Sequence, residues 1–450
     1  MLTGVLYTAD LISQLLPHFL FYFVSMKKII FLLVFAFYCT KVLAQTDPFA
    51  YSKFTTTQNR SKFYNDMVNH SITKNLALPL TDETEENWKD AFNAMELINY
   101  QHAWTKPVIK KAVDSMEKRS PYFQQELLEM LYANQQLQYL KPIAHLLATT
   151  QSAKIFAICA EYLLVADTSK KIIADIKNTG IKKSYLFTDN KDKAIILELF
   201  RHLENLSKKT SYPSTSQLKT LFNKNYLKGN VVVYSIQRKN RNYTGIVIIK
   251  DTGGNFIQNN DGRLFSLPQL ARSLSNFPAY ISNGNTPQGI YRMYGFGRSR
   301  SAFIGPTENI QLTMPYEKSL AHFFKDSSIT DTVWSKGWYG KLVPVALKNY
   351  APFYETLYAG EAGRTEIIAH GTAVDPAFYK GQLYYPFTPT AGCLSTKEIW
   401  DANGKCIFSD QQKLADAIKK AGGANGYLIV LELDDVKKNV APEEILSYLP

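Results

Sequence analysis

Cysteine is scarce in this chain: four in 450 residues, at positions 39, 159, 393 and 406. The last three lie beyond an amino-terminal leader, and an odd number in an exported protein leaves at least one thiol free. Cys393 and Cys406 are too sparse for a structural zinc site, which takes four ligands at regular spacing. Histidine is nearly as scarce, with seven in all, and only His322 and His370 fall in the C-terminal region. No P-loop is present, because the glycine-rich, basic run Gly295 to Arg300 lacks the Lys-Ser/Thr pair. Net charge is +12 and pI about 9.2, yet there is no Lys/Arg stripe and no nucleic-acid motif. The charge reads as a diffuse solvated surface, suited to anionic wall or membrane surfaces rather than nucleic acid.

The first 45 residues read as processing signals. Met26-Lys27-Lys28 starts a basic region, Ile29 to Tyr38 is apolar, and Val42-Leu43-Ala44 precedes a cleavage site before Gln45. The expected start is Met26, with residues 1–25 an upstream extension and cleavage after Ala44. The apolar run is too short to span a bilayer. Joining Leu15 to Phe37 into an anchor would place Lys27 and Lys28 near mid-bilayer at heavy cost. Phe37-Tyr38 before Cys39 argues against lipid attachment there. The expected location is therefore the periplasm or cell envelope, with membrane contact through the export signal alone.

The remaining residues, 46% hydrophobic and 20% charged over the whole chain, have an ordinary globular balance. Helical spacing dominates residues 46–206. Ser120-Pro121 is an N-cap and N1 pair, and Phe123, Leu127, Leu128 and Leu131 follow at helical spacing. Ile155, Cys159, Tyr162, Leu163 and Ala166 form another apolar face, which makes Cys159 packing. Ser169 opens a helix expected to stop at Gly180. Stacked helical hairpins are the expected architecture, folding independently and positioning the other half by contact with the wall or a wall protein. His70, His102, His145 and His202 have no ligand-like spacing. Residues 207–229 read as a linker and short helix. From 230 the period changes to β-branched runs, Val231 to Gln237 and Thr244 to Lys250, around a polar turn. The fold class is thus multidomain α + β, with a β-rich domain over 230–436 and a tail over 437–450.

Chemistry concentrates in two segments of that β-rich part. Ile367-Ile368-Ala369-His370-Gly371-Thr372 places a histidine at the end of a strand-like run. Thr390-Ala391-Gly392-Cys393-Leu394-Ser395 places a cysteine after a glycine. A thiol and an imidazole brought together suffice for nucleophilic acyl transfer. Ser395 with Glu398 three residues later fits a capping box, so a helix is expected to begin there and lower the pKa of Cys393. Gly392 lets the backbone approach a carbonyl, and neighbouring N–H groups would cradle an oxyanion. The alternative is a small buried cysteine beside a helix start. Arg292, Arg298 and Arg300 are candidates to hold a substrate carboxylate, beside the reading of a mobile loop. Trp338 and Tyr358, with Trp334 and Tyr339, either line a peptide or glycan groove or belong to core packing.

Several motifs in order resemble the L,D-transpeptidase (YkuD-type) catalytic domain. Thr286-Pro287-Gln288-Gly289-Ile290-Tyr291 is similar to its Thr-Pro-x-Gly-x-aromatic segment, His370-Gly371-Thr372 to its His-Gly-Thr strand end, and Thr390-Ala391-Gly392-Cys393 to its Ser/Thr-x-Gly-Cys. Gly426 to Leu433 resembles its last strand, and the likeness covers roughly 230 to 436. The resemblance implies a compact β-sandwich-like fold, with Cys393 as nucleophile, His370 as base and Gly392 in the oxyanion hole. Gly371, Thr372 and Thr390 would orient the pair. It implies action on peptidoglycan stem peptides through a Cys393 thioester, giving 3-3 type cross-links, without metal or organic cofactor. Water as acceptor would make the same site an L,D-carboxypeptidase or endopeptidase. Ser395 stands where the family has an arginine, Ala391 where it often has a histidine, and the segment from His370 to Thr390 is slightly longer. Those departures bear on substrate anchoring and keep a non-catalytic wall-binding scaffold as the reading of another class.

Overall fold

Serine hydroxyls just ahead of apolar runs set where the N-terminal helices begin. Ser120 Oγ accepts from the Phe123 N–H at 3.2 Å and opens helix Pro121–Ala133. Ser152 and Ser169 do the same for Ala153–Ala166 and Lys170–Lys183. A cap of this kind meets a donor that the helix itself leaves orphaned. The computed structural model describes residues 50–206 and 212–450, so the leader and its cleavage site lie outside the described residues, as does most of the polar stretch after Leu206. No helix among the described residues is long and apolar enough to cross a membrane.

Gly180 does not stop its helix, which runs on to Lys183. A Cβ there would lie 2.9 Å from the Phe200 ring and 3.3 Å from Phe156, so the glycine lets two neighbouring helices approach. Apolar faces of the helices meet in one core containing Trp88, Phe92, Phe123, Phe156 and Leu199. Cys159 is wholly buried in it, as its spacing predicts.

The C-terminal part is built on ten strands: β1 (Val232–Arg238), β2 (Gly245–Lys250), β3 (Leu267–Gln269), β4 (Gly289–Gly297), β5 (Asn309–Thr313), β6 (Ala369–Gly371), β7 (Leu394–Thr396), β8 (Glu398–Trp400), β9 (Cys406–Ser409) and β10 (Tyr427–Asp434). Eight form one mixed sheet in the order β3-β2-β1-β10-β4-β5-β6-β7, and β8 pairs with β9. The hairpin β1–β2 is antiparallel, whereas β1–β10 and β6–β7 are parallel. Just past β3, Leu270 exchanges two 2.8 Å backbone bonds with Ser395 of β7. The two ends of the sheet thereby meet. In place of the two packed sheets of a sandwich, one sheet curls toward a barrel.

Alternation along the strands divides the sheet into two apolar faces. Val232, Tyr234 and Ile236 point into one core, and Val231 and Val233 into the other. The second face is covered by helix Asp410–Ala421, which Ser409 caps and Gly422 ends at φ +125°. Helix Thr215–Phe222 contributes Leu218, Leu221 and Phe222 to the first core. Residues 437–450 are packed rather than a free tail. Arg238, wholly buried, pairs with Asp434 at 2.7 Å and Glu444 at 2.8 Å, and Val440 and Ile445 are core residues.

The expectation of independent halves is corrected by the loop between β3 and β4. Its Phe277, Tyr280 and Ile281 belong to the helical core, not to either core of the sheet. The Phe277 and Tyr132 rings lie 4.2 Å apart, and the Tyr280 hydroxyl meets Glu161 at 2.5 Å. Tyr51 to Pro450 is accordingly one compact unit.

Candidate active site

Strand β6 carries His370, and Cys393 stands just ahead of β7. The parallel register of the two strands sets Ala369 beside Leu394 and His370 beside Ser395. Leu394 continues the ladder by donating to Ile368 O at 3.0 Å, which puts Cys393 level with Ile368. Side chains alternate along a strand, so His370 and Cys393 share a face while Ala369 and Leu394 point into the core behind it. Cys393 is partly exposed and the imidazole of His370 is buried. Among the described residues the thiol bonds to Ile368 N–H at 3.5 Å and Glu366 O at 3.6 Å, not to His370.

The helix expected at Ser395 is absent. Leu394–Thr396 is strand, Glu398–Trp400 is strand, and Ser395 exchanges its backbone bonds with Leu270 while its hydroxyl donates to Thr388 O. No helix N-terminus therefore activates the thiol. Burial pushes Cys393 up, while the Ile368 N–H and the charge of Arg364 pull it down. Burial likewise pushes His370 down, opposed by its bond to the Gly371 carbonyl. Both shifts favour the neutral thiol and the neutral imidazole. His370 Nδ1 lies 2.7 Å from Gly371 O, and a carbonyl only accepts, so Nδ1 carries the proton and Nε2 is the free base.

Glycine is required at two points around this pair. A Cβ on Gly371 would fall 2.2 Å from the Glu398 carboxyl carbon. Gly392 has φ +114°, and a Cβ there would collide with the Arg364 guanidinium and with Gly284 O at 2.7 Å. Thr286 Oγ1 donates to Gly392 O at 2.9 Å, and Thr390 Oγ1 accepts from Gly392 N and donates to Cys393 O at 2.8 Å. The backbone of the nucleophile is held on both sides. The Cys393 N–H itself makes no hydrogen bond among the described residues and is free to meet an oxyanion.

Two residues that the motifs did not flag complete the setting. Arg364 is 5% exposed and donates to the carbonyls of Ala279, Gly284 at 2.9 Å and Asn285 at 2.7 Å. It stands against Gly392, its pKa lowered to about 10 by burial while Tyr291 and Cys393 oppose that shift. A cation thus lies beside the thiol although Ser395 occupies the position two residues after it. Glu398, read from sequence as part of a cap, instead lies under Gly371. Its Oε1 accepts from Thr307 at 2.5 Å and Ser409 at 2.7 Å, and Oε2 is buried without a partner among the described residues.

Burial pushes Glu398 up to about 7 from an ordinary 4.5. An acid raised on folding leaves stability undiminished below the unfolded value and lowers it as pH climbs to the folded one. The fall between pH 4.5 and 7 is about 3 kcal/mol for this group. Glu398→Gln should be more stable than wild type at pH 7.5 and flatten that part of the profile. Urea unfolding at several pH values measures it, and parallel profiles for the two proteins would refute the assignment.

The remaining sequence candidates are not gathered at the thiol. Thr372 is walled in, its hydroxyl accepting from Thr388 at 2.8 Å and from Val374 N–H. Arg292, a candidate for binding a substrate carboxylate, is buried and committed to Gly426 O and to Met293 and Asn425. Trp338 donates to Asp331 at 2.7 Å and packs on Phe324, and Tyr358 stacks under Arg201 at 3.8 Å. Those rings serve packing. Arg298 and Arg300 are exposed on the loop after β4, which returns to pair Ile304 with Thr372. Comparison with known proteins finds no match to this chain among family models, curated proteins or solved structures.

Proposed function

We propose that the protein is a cysteine acyltransferase acting on peptidoglycan stem peptides, by L,D-transpeptidation at Cys393. The observation that carries this reading is the shared face of β6 and β7. A partly exposed thiol with an unbonded backbone N–H shares that face with a buried imidazole whose Nδ1–H is tied to Gly371 O. Substrate class comes from the motif resemblance; the geometry supports the acyl-transfer chemistry. In the first step the Cys393 sulfur forms a bond to the carbonyl carbon of the third stem residue, and His370 Nε2 takes the thiol proton. The Cys393 N–H would stabilise the oxyanion. Collapse breaks the C–N bond to terminal D-Ala, and His370 returns the proton to the leaving amine. An amine of a second stem then attacks the thioester carbonyl, regenerates the thiol and leaves a cross-link. Starting from the neutral pair, proton transfer accompanies attack rather than preceding it.

Purified protein incubated with tetrapeptide muropeptides tests this. Wild type should give cross-linked dimers, with free D-Ala released, and Cys393→Ala neither. Equal products from the two proteins would discard the assignment. Shortened monomers without dimers would identify water as the acceptor and the activity as an L,D-carboxypeptidase.

A further inference from the structure

A second cavity, of about 370 Å³, opens on the far side of the Thr388–Cys393 loop. Its wall comes from three places in the chain: Glu96 in the last turn of helix Glu85–Leu97 with Asn99 just after it, Asn134 and Gln135 after helix Pro121–Ala133, and Arg272, Tyr384 and Gln382 from the sheet part. The size suits a small ligand, at the low end of the usual range of about 300–1,000 Å³. Its lining is unusual in being built from amides and two opposite charges rather than apolar side chains.

Some of the polar atoms facing it have no protein partner among the described residues. Asn134 is 3% exposed, and neither its Oδ1 nor its Nδ2 has a hydrogen-bond partner among the described residues. Arg272 is 6% exposed and held over the Tyr384 ring at 4.6 Å. Its Nε bonds to Asn242 and its Nη1 to Ser273 O and Leu274 O, which leaves Nη2 without a bond among the described residues. The Glu96 carboxyl has no hydrogen bond or ion pair among them either. Burial first, then Glu129 and Glu126, push its carboxyl well above the ordinary range. Glu96 and Arg272 interact electrostatically, yet no ion pair joins them among the described residues.

We propose that this cavity binds a short peptide with free ends: its carboxylate on Arg272, its ammonium on Glu96 and an amide bond read by Asn134. A side-chain amide with both atoms unpaired matches a peptide group donor for acceptor and acceptor for donor. A guanidinium with a free edge suits a carboxylate, and a carboxyl without a cation partner suits an ammonium, whose charge favours its ionised form. The cavity touches the thiol loop directly. Leu274 in its wall donates to Thr390 O at 2.8 Å, and Thr390 holds Cys393 O at 2.8 Å. A bound peptide would therefore lean on the segment that positions the nucleophile.

The test is calorimetric titration of the Cys393→Ala chain with trialanine, in its all-L and all-D forms, and with N-acetyl-trialanine and trialanine amide. One hand should bind saturably, and blocking either end should weaken it about tenfold or more, the worth of a charged hydrogen bond. Glu96→Gln should erase the difference between trialanine and its N-acetyl form while leaving the unfolding temperature equal or higher, because the Glu96 carboxyl has no hydrogen bond or ion pair among the described residues to lose. Asn134→Ala removes two unpartnered atoms, so it should keep the fold and weaken both peptides. No saturable binding of either hand at about 10 mM, or binding indifferent to blocked ends and to Glu96→Gln, overturns the proposal. The result is separate from the Cys393 reading: peptide binding can hold where muropeptides are left unprocessed, and processing can hold where trialanine fails to bind.

Discussion

Residues 212–450, expressed without the helical part, should aggregate or melt far below the full chain. Phe277, Tyr280 and Ile281 would be stripped of the core that covers them. Full burial of three such side chains is worth about 5–9 kcal/mol, comparable with the whole stability of many domains. The Tyr280 hydroxyl would lose Glu161, and the Tyr379 hydroxyl would lose its 2.7 Å bond to Leu97 O. The same loop carries Ala279, Gly284 and Asn285, whose carbonyls hold Arg364 beside the thiol. Loss of the helical part should thus disorder the nucleophile's surroundings as well. A soluble fragment with a cooperative melt and a Cys393 as reactive as that of the full chain would show the halves to be independent.

Replacing Arg364 should give the largest effect on thiol chemistry short of removing the thiol. Arg364→Gln takes away the buried cation next to Cys393 and leaves three carbonyls short of donors, at about 1–3 kcal/mol for each one left unsatisfied. Alkylation of Cys393 by iodoacetamide near neutral pH should slow about tenfold, one pKa unit's worth of thiolate. Arg364→Lys should restore much of the rate while melting below wild type, since an ammonium supplies the charge but not the three-way fork. Mass spectrometry provides the internal standard. Cys159 and Cys406 are both wholly buried, and burial pushes Cys406 up to about 12, so neither should be labelled in the folded chain. Equal labelling of wild type and both variants would remove Arg364 from the account.

What could be read from the residues was what local chemistry decides. Ser120 and Ser169 each cap the helix expected of them, because a cap involves neighbours three residues apart. The hairpin β1–β2 and the order of the Cys and His segments were legible for the same reason. Ser395 to Glu398 carries an equally good local signature and forms strand instead. There the backbone N–H of Ser395 is claimed by Leu270, 125 positions earlier, and no local pattern records that claim. Gly180 shows the same override, since a packing contact with Phe200 decides its role. Arg364 and Glu398 were missed because their importance lies in what surrounds them. A lone arginine after Gly363 carries no motif, and only the fold wraps carbonyls around it.

The meeting of Leu270 with Ser395 has a consequence for how any extended peptide reaches the thiol. β7 is flanked on one side by β6 and on the other by the run from Leu270 to Leu274, which pairs back to Thr390. Proteins that capture peptides by β-augmentation need an unpaired strand edge to which the guest adds its own backbone. Along β7, just after Cys393, no such edge is available, because both flanks of that strand are already taken. A peptide brought to the thiol would cross that strand rather than lie alongside it, held by side chains and loops. Backbone pairing, the least selective way to hold a peptide, is closed to this site by the way the sheet joins.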